Sequence, residues 1–254
     1  MELFGLEIDS WIIASLLAVL MIAGWALGWQ RGVRNAASGK INTVNVNDAI
    51  LALFGLLLGF TFSMSLAKHD QRRLMLVNDS NCIGDFATCV SMLKEPQRGK
   101  ILTEVRAYLQ MLLKPFPNMT EKGVFAEKLD SLQSYQGKIQ TLVGQAIEAS
   151  PHMTVSILNT FNGLSSSHAS RLASLRDRLP LEIIFLLSFA ALITMMLQGQ
   201  RQGEAGNRLF TPSLGFIVLV SMVIWVTLDL NQPNRGWIRL NKEPLERLLA
   251  GLGS

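Results

Sequence analysis

The stretch Asn47–Lys94, NDAILALFGLLLGFTFSMSLAKHDQRRLMLVNDSNCIGDFATCVSMLK, decides the fold. From Ala49 to Ala67 it is apolar except for Thr61, Ser63 and Ser65, and at about 1.5 Å per residue it covers roughly 28 Å, close to the hydrocarbon thickness of a bilayer. It reads as a transmembrane helix. Between Ala67 and Pro96 there is no proline and a single glycine, Gly84, while apolar residues return at Leu74, Val77, Cys82, Phe86, Cys89 and Leu93. That spacing predicts a helix that leaves the membrane without stopping, a rod of roughly 70 Å.

Working outward, the composition agrees with a membrane protein: 49% of residues are hydrophobic and 17% charged, and mean hydropathy is +0.30. Four spans are predicted, Trp11–Trp29, Ala49–Ala67, Leu181–Leu197 and Leu214–Leu230. The first is read as a retained span, because Glu2, Glu7 and Asp9 precede it and a secretory signal requires a basic leader. Trp11, Trp25 and Trp29 near its ends fit the aromatic belt of such a span.

Between the second and third spans the pattern is helical throughout. Pro96 fits the first turn of a helix with apolar positions Ile101, Leu102, Val105, Leu109, Leu112 and Leu113, ending at Pro115 and Pro117. A second helix is predicted from Thr120 to Ala149, buried along Phe125, Leu129, Leu132, Ile139, Leu142, Val143 and Ile147. Ser150 and Pro151 read as N-cap and first turn of a third, running through Ile157, Phe161, Leu164, Leu172 and Leu175 to Leu179.

Pro180 then opens the third span, and the Gly-rich links QRGVRNAASGKINTVNVND and QGQRQGEAGNRLFTP are read as short connections. Pro233 and Gly236 imply a turn before a brief amphipathic helix, Glu243–Leu252. The expected architecture is an all-α integral membrane protein. Residues 1–67 carry spans one and two, 68–179 an extramembrane helical bundle continuing span two, 180–230 spans three and four, and 231–254 a tail.

With four spans, both termini share a side with the bundle. Ten Lys and Arg flank the spans there (Lys68, Arg72, Arg73, Arg171, Arg176, Arg178, Arg235, Arg239, Lys242, Arg247), against five opposite (Arg31, Arg34, Lys40, Arg201, Arg208). That bias places termini and bundle in the cytoplasm, which for a bacterial protein means an inner-membrane location.

Cys82 and Cys89, seven apart on one helix, are about 10 Å from each other, too far for a disulfide. His69, His152 and His168 show no ligand spacing with them, so no metal or other cofactor is expected. No nucleophile–base–acid arrangement or phosphate-cradling loop stands out, and a basic, aromatic nucleic-acid surface is lacking, so neither catalysis nor nucleic-acid binding is expected.

The run LLLGFTFSMSLAKHDQRRLMLVNDSNCIGD, then HASRLASLRDRLP, then DLNQPNRGWIRLNKEPL, in that order, resembles the bestrophin-like domain family of four-span, mainly bacterial membrane proteins. More distantly, Leu58-Gly59-Phe60 followed by a basic stretch is similar to the second span of bestrophins, pentameric anion channels. That resemblance implies a homo-oligomer in the lipid bilayer, with Ala52, Leu56 and Phe60 lining a pore neck for chloride or another small anion. It implies Gly55 and Gly59 at close helix approaches, and Lys68, Arg72 and Arg73 drawing anions to the inner mouth.

Ala52 is small where the family neck is bulky, the acidic calcium cluster of animal bestrophins has no counterpart, and Asp70 interrupts the basic mouth. Bottom-up alternatives stand beside these roles. Gly55 and Gly59 fit plain helix packing, and the three basic residues fit headgroup anchors. Arg171, Arg176 and Arg178 fit pairing with Asp79 and Asp85, and Asp229 fits a cap ending the fourth span. The alternative function is a non-conducting sensor or scaffold whose bundle binds a ligand or partner.

Overall fold

A computed structural model describes residues 2–3, 6–7, 9–38, 46–115, 122–177, 179–206, 210–232 and 237–252. Apart from a two-residue antiparallel pairing of Glu2–Leu3 with Leu6–Glu7, it is helical. The helices are α1 (Ser10–Ala37), α2 (Val46–Ser91), α3 (Gln97–Leu113), α4 (Lys122–Ala149), α5 (Thr154–Arg176), α6 (Leu181–Glu204), α7 (Phe210–Leu230) and α8 (Glu243–Gly251). Two compact units result: Met1–Lys68 with Arg178–Ile238, and His69–Asp177 with Arg239–Ser254.

The first unit holds α1, the start of α2, α6 and α7, all four long and apolar enough to cross a membrane. Its core brings Leu17 and Met21 of α1 and Phe54 and Leu58 of α2 against Leu187, Ala191 and Met195 of α6 and Ile217, Val220 and Ile224 of α7. The first and third spans are longer than their apolar runs suggest. Residues 30–37 and 198–204, read from sequence as polar connections, stay helical because glycines bring them together. A Cβ on Gly28 or Gly32 would fall on the carbonyls of Met196 or Gln200, and one on Gly199 or Gly203 on those of Trp25 or Trp29. Glycine lets the backbones touch where any side chain would hold them apart. Along this seam Trp25 donates to Gln202 at 2.9 Å and Asn35 to Glu204 at 3.4 Å.

The second unit is a bundle of the later half of α2 with α3, α4, α5 and α8. Helix α2 is unbroken for 46 residues, about 69 Å at 1.5 Å per residue, as its lack of interior proline predicts. Its core face differs from the expected stripe. Ile83, Phe86, Val90 and Leu93 are buried, but Leu74 and Val77 face outward, 66% and 36% exposed, and Leu76 and Asp79 take the interior positions. The α3 and α4 faces follow the sequence closely, with Ile101, Val105, Leu109 and Leu112 meeting Leu132, Ile139 and Val143.

Ser150 does not cap with its side chain. Pro151–Met153 form a 3-10 turn, closed by Met153 N–H on the Ser150 carbonyl at 3.0 Å, before α5 begins at Thr154. Helix α5 stops at Arg176 instead of Leu179. Leu179 is instead held by donating its N–H to Asn231 Oδ1 at 2.8 Å. The tail's last segment is part of the bundle: Leu245 is fully buried in its core, and Lys242 donates to the Leu113 carbonyl at 3.0 Å. Thr120, Pro117, Arg178, Pro233 and Gly236 lie outside the described residues.

Candidate pore face and buried polar cluster

Within the membrane unit α2 has two unlike sides. Phe54, Leu58, Thr61 and Ser65 are buried, and Ser65 reaches α7 by donating to the Thr227 carbonyl at 2.8 Å. Ala52, Leu56 and Phe60 lie on the other side, all exposed, with Phe60 64% open. Among the described residues, no atom beyond the adjoining turns of α2 comes within 4 Å of a Cβ built on Gly55 or Gly59. The close backbone approaches inside this chain are instead those of Gly28, Gly32, Gly199 and Gly203, whose four-residue spacing was the available and overlooked signal.

The three basic residues after the span part company. Lys68 is half-buried and Arg73 exposed, as is the intervening Asp70. Arg72, expected at a solvent-facing mouth, is 2% exposed, and its guanidinium donates to the carbonyls of Ser174 at 3.2 Å and Asp177 at 2.6 Å. Those carbonyls are at the end of α5, where the helix leaves acceptors without intrahelical donors, and a guanidinium is well placed to satisfy them.

Deeper in the bundle is a polar cluster. Asp79 on α2, wholly buried, accepts from Arg171 Nη1 at 2.7 Å and Ser167 Oγ at 2.9 Å, both on α5. One turn of α5 supplies both donors, because positions four apart share a face. Beside them Tyr108 of α3 hydrogen-bonds His168 Nδ1 at 2.7 Å, the rings meeting edge-on at 5.7 Å. Burial, then the Asp79 charge, raises the Tyr108 hydroxyl well above the usual tyrosine range. Burial lowers His168 below the ordinary histidine value, with Asp79 opposing and Arg171 reinforcing. Among the described residues, His168 Nε2 and Gln136 Nε2 are buried without a hydrogen-bond partner.

At the end of α3, Lys128 Nζ donates to the carbonyls of Lys114 and Pro115, beside Lys242 on Leu113. Burial, then the charges of Lys242, Arg171 and Lys114, lowers Lys128 to about 8. Two ammonium groups thus cap the negative end of one helix. At the end of α7 Asp229 does not cap the helix carbonyls but accepts from Ser10 Oγ at 3.1 Å and from the N–H groups of Trp237 and Ile238 at 3.0 and 2.9 Å. Among the described residues no His, Cys, Asp and Glu group could hold a metal, and Cys82 and Cys89 are free thiols.

Four helices long and apolar enough to cross a membrane, in an otherwise helical chain, define an all-helical integral membrane protein. A family model for the bestrophin-like domain matches residues 13–245; the chain belongs to that family. Its fold resembles a point variant of a bacterial bestrophin homologue from Klebsiella pneumoniae, at 16% identity and a TM-score of 0.65, covering 92% of this chain and 99% of that one. It also resembles a point variant of a membrane protein, at 14% identity and a TM-score of 0.69, covering 94% and 98%. No curated protein sequence matches the chain. The fold is thus bestrophin-like.

Proposed function

We propose that this protein is an oligomeric ion channel in which copies of α2 surround the conduction path and Ala52, Leu56 and Phe60 face it. The observation that carries the reading is the unoccupied side of α2: Leu56 and Phe60 are 56% and 64% exposed, and Gly55 and Gly59 meet nothing within 4 Å among the described residues beyond the adjoining turns of α2. A helix so bare on one side, in a bestrophin-like chain, suits a symmetric assembly around an axis, a pentamer by family resemblance. Gly55 and Gly59 then let neighbouring copies approach closely.

A ring of Phe60 side chains forms a hydrophobic constriction that gates by dewetting. The positive edges of its rings favour a passing anion such as chloride. Lys68 and Arg73 raise the anion concentration at the mouth, partly offset by Asp70, while Arg72 acts through the bundle instead. The excess of basic residues flanking the bundle side supports a cytoplasmic bundle in a bacterial inner membrane.

Purified protein in liposomes is expected to pass chloride in preference to potassium. Vesicles that hold folded, oligomeric protein and remain impermeable to both ions would overturn conduction, and preferential potassium flux would overturn the anion assignment alone.

A further inference from the structure

The bundle contains a buried titratable group that conduction does not use. His168 is 4% exposed; its Nδ1 is taken up by the Tyr108 hydroxyl at 2.7 Å, and its Nε2 reaches no partner among the described residues. Three helices of the bundle contribute to its surroundings, Asp79 from α2, Tyr108 from α3 and Arg171 from α5, and Gln136 of α4 interacts with Tyr108. The positive charge of Arg171 is felt in turn at Lys128 and Lys242. The two oxygens of Asp79 are already engaged by Arg171 and Ser167, and Glu246 of α8 is the carboxylate felt at Lys242.

We propose that His168 is a proton-binding site that regulates the packing of α5 against α2 and α3. The neutral ring fits the cluster, because one nitrogen meets Tyr108 and the other rests uncharged. A proton makes both ring nitrogens donors and puts a second buried cation beside Arg171, with one carboxylate to serve both. Imidazolium and guanidinium then compete for Asp79, and the cluster is relieved by parting the helices that enclose it. Acid therefore loosens the bundle, and the ligand that does it is the proton itself.

The sign is fixed by linkage. With its folded value below the ordinary one near 6.5, His168 binds fewer protons in the folded than in the unfolded chain, so stability falls as pH drops below about 6.5. This inference stands apart from conduction, since it is read on the bundle and not on flux.

The test uses full-length protein in detergent. The melting temperature should hold between pH 8 and 7 and fall below about pH 6.5, by roughly 3–5 °C per pH unit at the steepest. His168→Asn keeps a polar atom towards Tyr108 but takes no proton, and should flatten that fall, while His69→Gln and His152→Gln leave it unchanged. Hydrogen exchange at pH 5.5 should rise first in the bundle half of α2 and in α5, and not in the His168→Asn protein. An unchanged slope in a folded His168→Asn protein overturns the proposal. If that variant fails to fold, the imidazole NMR titration of the His69→Gln/His152→Gln protein decides: a ring that titrates near 6.5 overturns it, and one that stays neutral well below supports it.

Discussion

Arg171 Nη1 lies 2.7 Å from Asp79 Oδ2 inside the bundle, with the two side chains 7% and 0% exposed. A pair this deep has lost its water on both sides, so breaking it leaves a naked charge. Arg171→Ala and Asp79→Ala should each lower the stability of the detergent-solubilised protein by about 3–5 kcal/mol in chemical denaturation. Asp79→Asn should lose less, because an amide still accepts from Ser167. A fall below about 1 kcal/mol for either alanine variant would mean that water reaches the pair.

The glycine seam between α1 and α6 gives a prediction free of charge effects. A methyl group at Gly28 or Gly199 would coincide with a backbone carbonyl of the facing helix, whereas at Gly24 it would rest 3.5 Å from the Leu192 carbonyl, an ordinary contact. Gly28→Ala and Gly199→Ala should each cost about 1–3 kcal/mol, lowering the melting temperature. Gly24→Ala and Gly215→Ala should be neutral or slightly stabilising.

How far the sequence reveals this molecule depends on which physical cue each part carries. The four spans, the unbroken α2 and the faces of α3 and α4 follow from apolar periodicity, which burial enforces directly. The α1–α6 seam escapes that cue, since Gly32, Gly199 and Gly203 sit in polar sequence, Gly28 at the edge of the first span, and glycine otherwise marks a link. Leu74 and Val77 continue the apolar period of α2 yet face outward, because Asp79 with its α5 partners takes the inner position. Arg72 belongs to a basic run whose composition says nothing about which side chain turns inward. Only the partner carbonyls at the end of α5 settle it.

Asp229 is the fixed point of the turn after α7. Its Oδ2 receives two backbone N–H groups and its Oδ1 the Ser10 hydroxyl, so Asp229→Ala strands three donors. A loss of about 1–3 kcal/mol is expected for burying groups left unsatisfied. Ser10→Ala removes one partner and should cost about 1 kcal/mol. Faster proteolysis after residue 230 in the Asp229→Ala protein, and not in Ser10→Ala, would separate the turn from the helix contact.

Lys128 sets an alkaline effect of the same sign as that of His168, at higher pH. Its folded value, about 8, lies below the ordinary lysine value of 10.5, so the unfolded chain binds more protons across that interval and stability rises as pH increases above 8. The neutral amine still donates to the Lys114 and Pro115 carbonyls. Denaturation midpoints should therefore be higher at pH 9.5 than at pH 7.5, the range being kept below the titration of tyrosine near 10. Lys128→Gln should reduce the rise, leaving the part due to Lys242, which burial also lowers below the ordinary lysine value. Equal midpoints in the unaltered protein would show that Lys128 keeps its charge through the range.

Phe60 offers the sharpest separation of a conducting face from a lipid-facing one. Phe60 and Phe189 are almost equally exposed in the single chain, 64% and 62%, but one is on α2 and the other on α6. Removing a phenyl ring from a dewetting constriction widens it and admits water, and a barrier lowered by about 1.4 kcal/mol raises passage tenfold. Phe60→Ala should accordingly raise chloride flux from liposomes by several-fold up to about tenfold, with Leu56→Ala changing it in the same direction. Phe189→Ala, on a helix outside the proposed path, should leave the rate unchanged. Were both phenylalanine variants to conduct like the unaltered protein, α2 would not line the path, although the fold would stand.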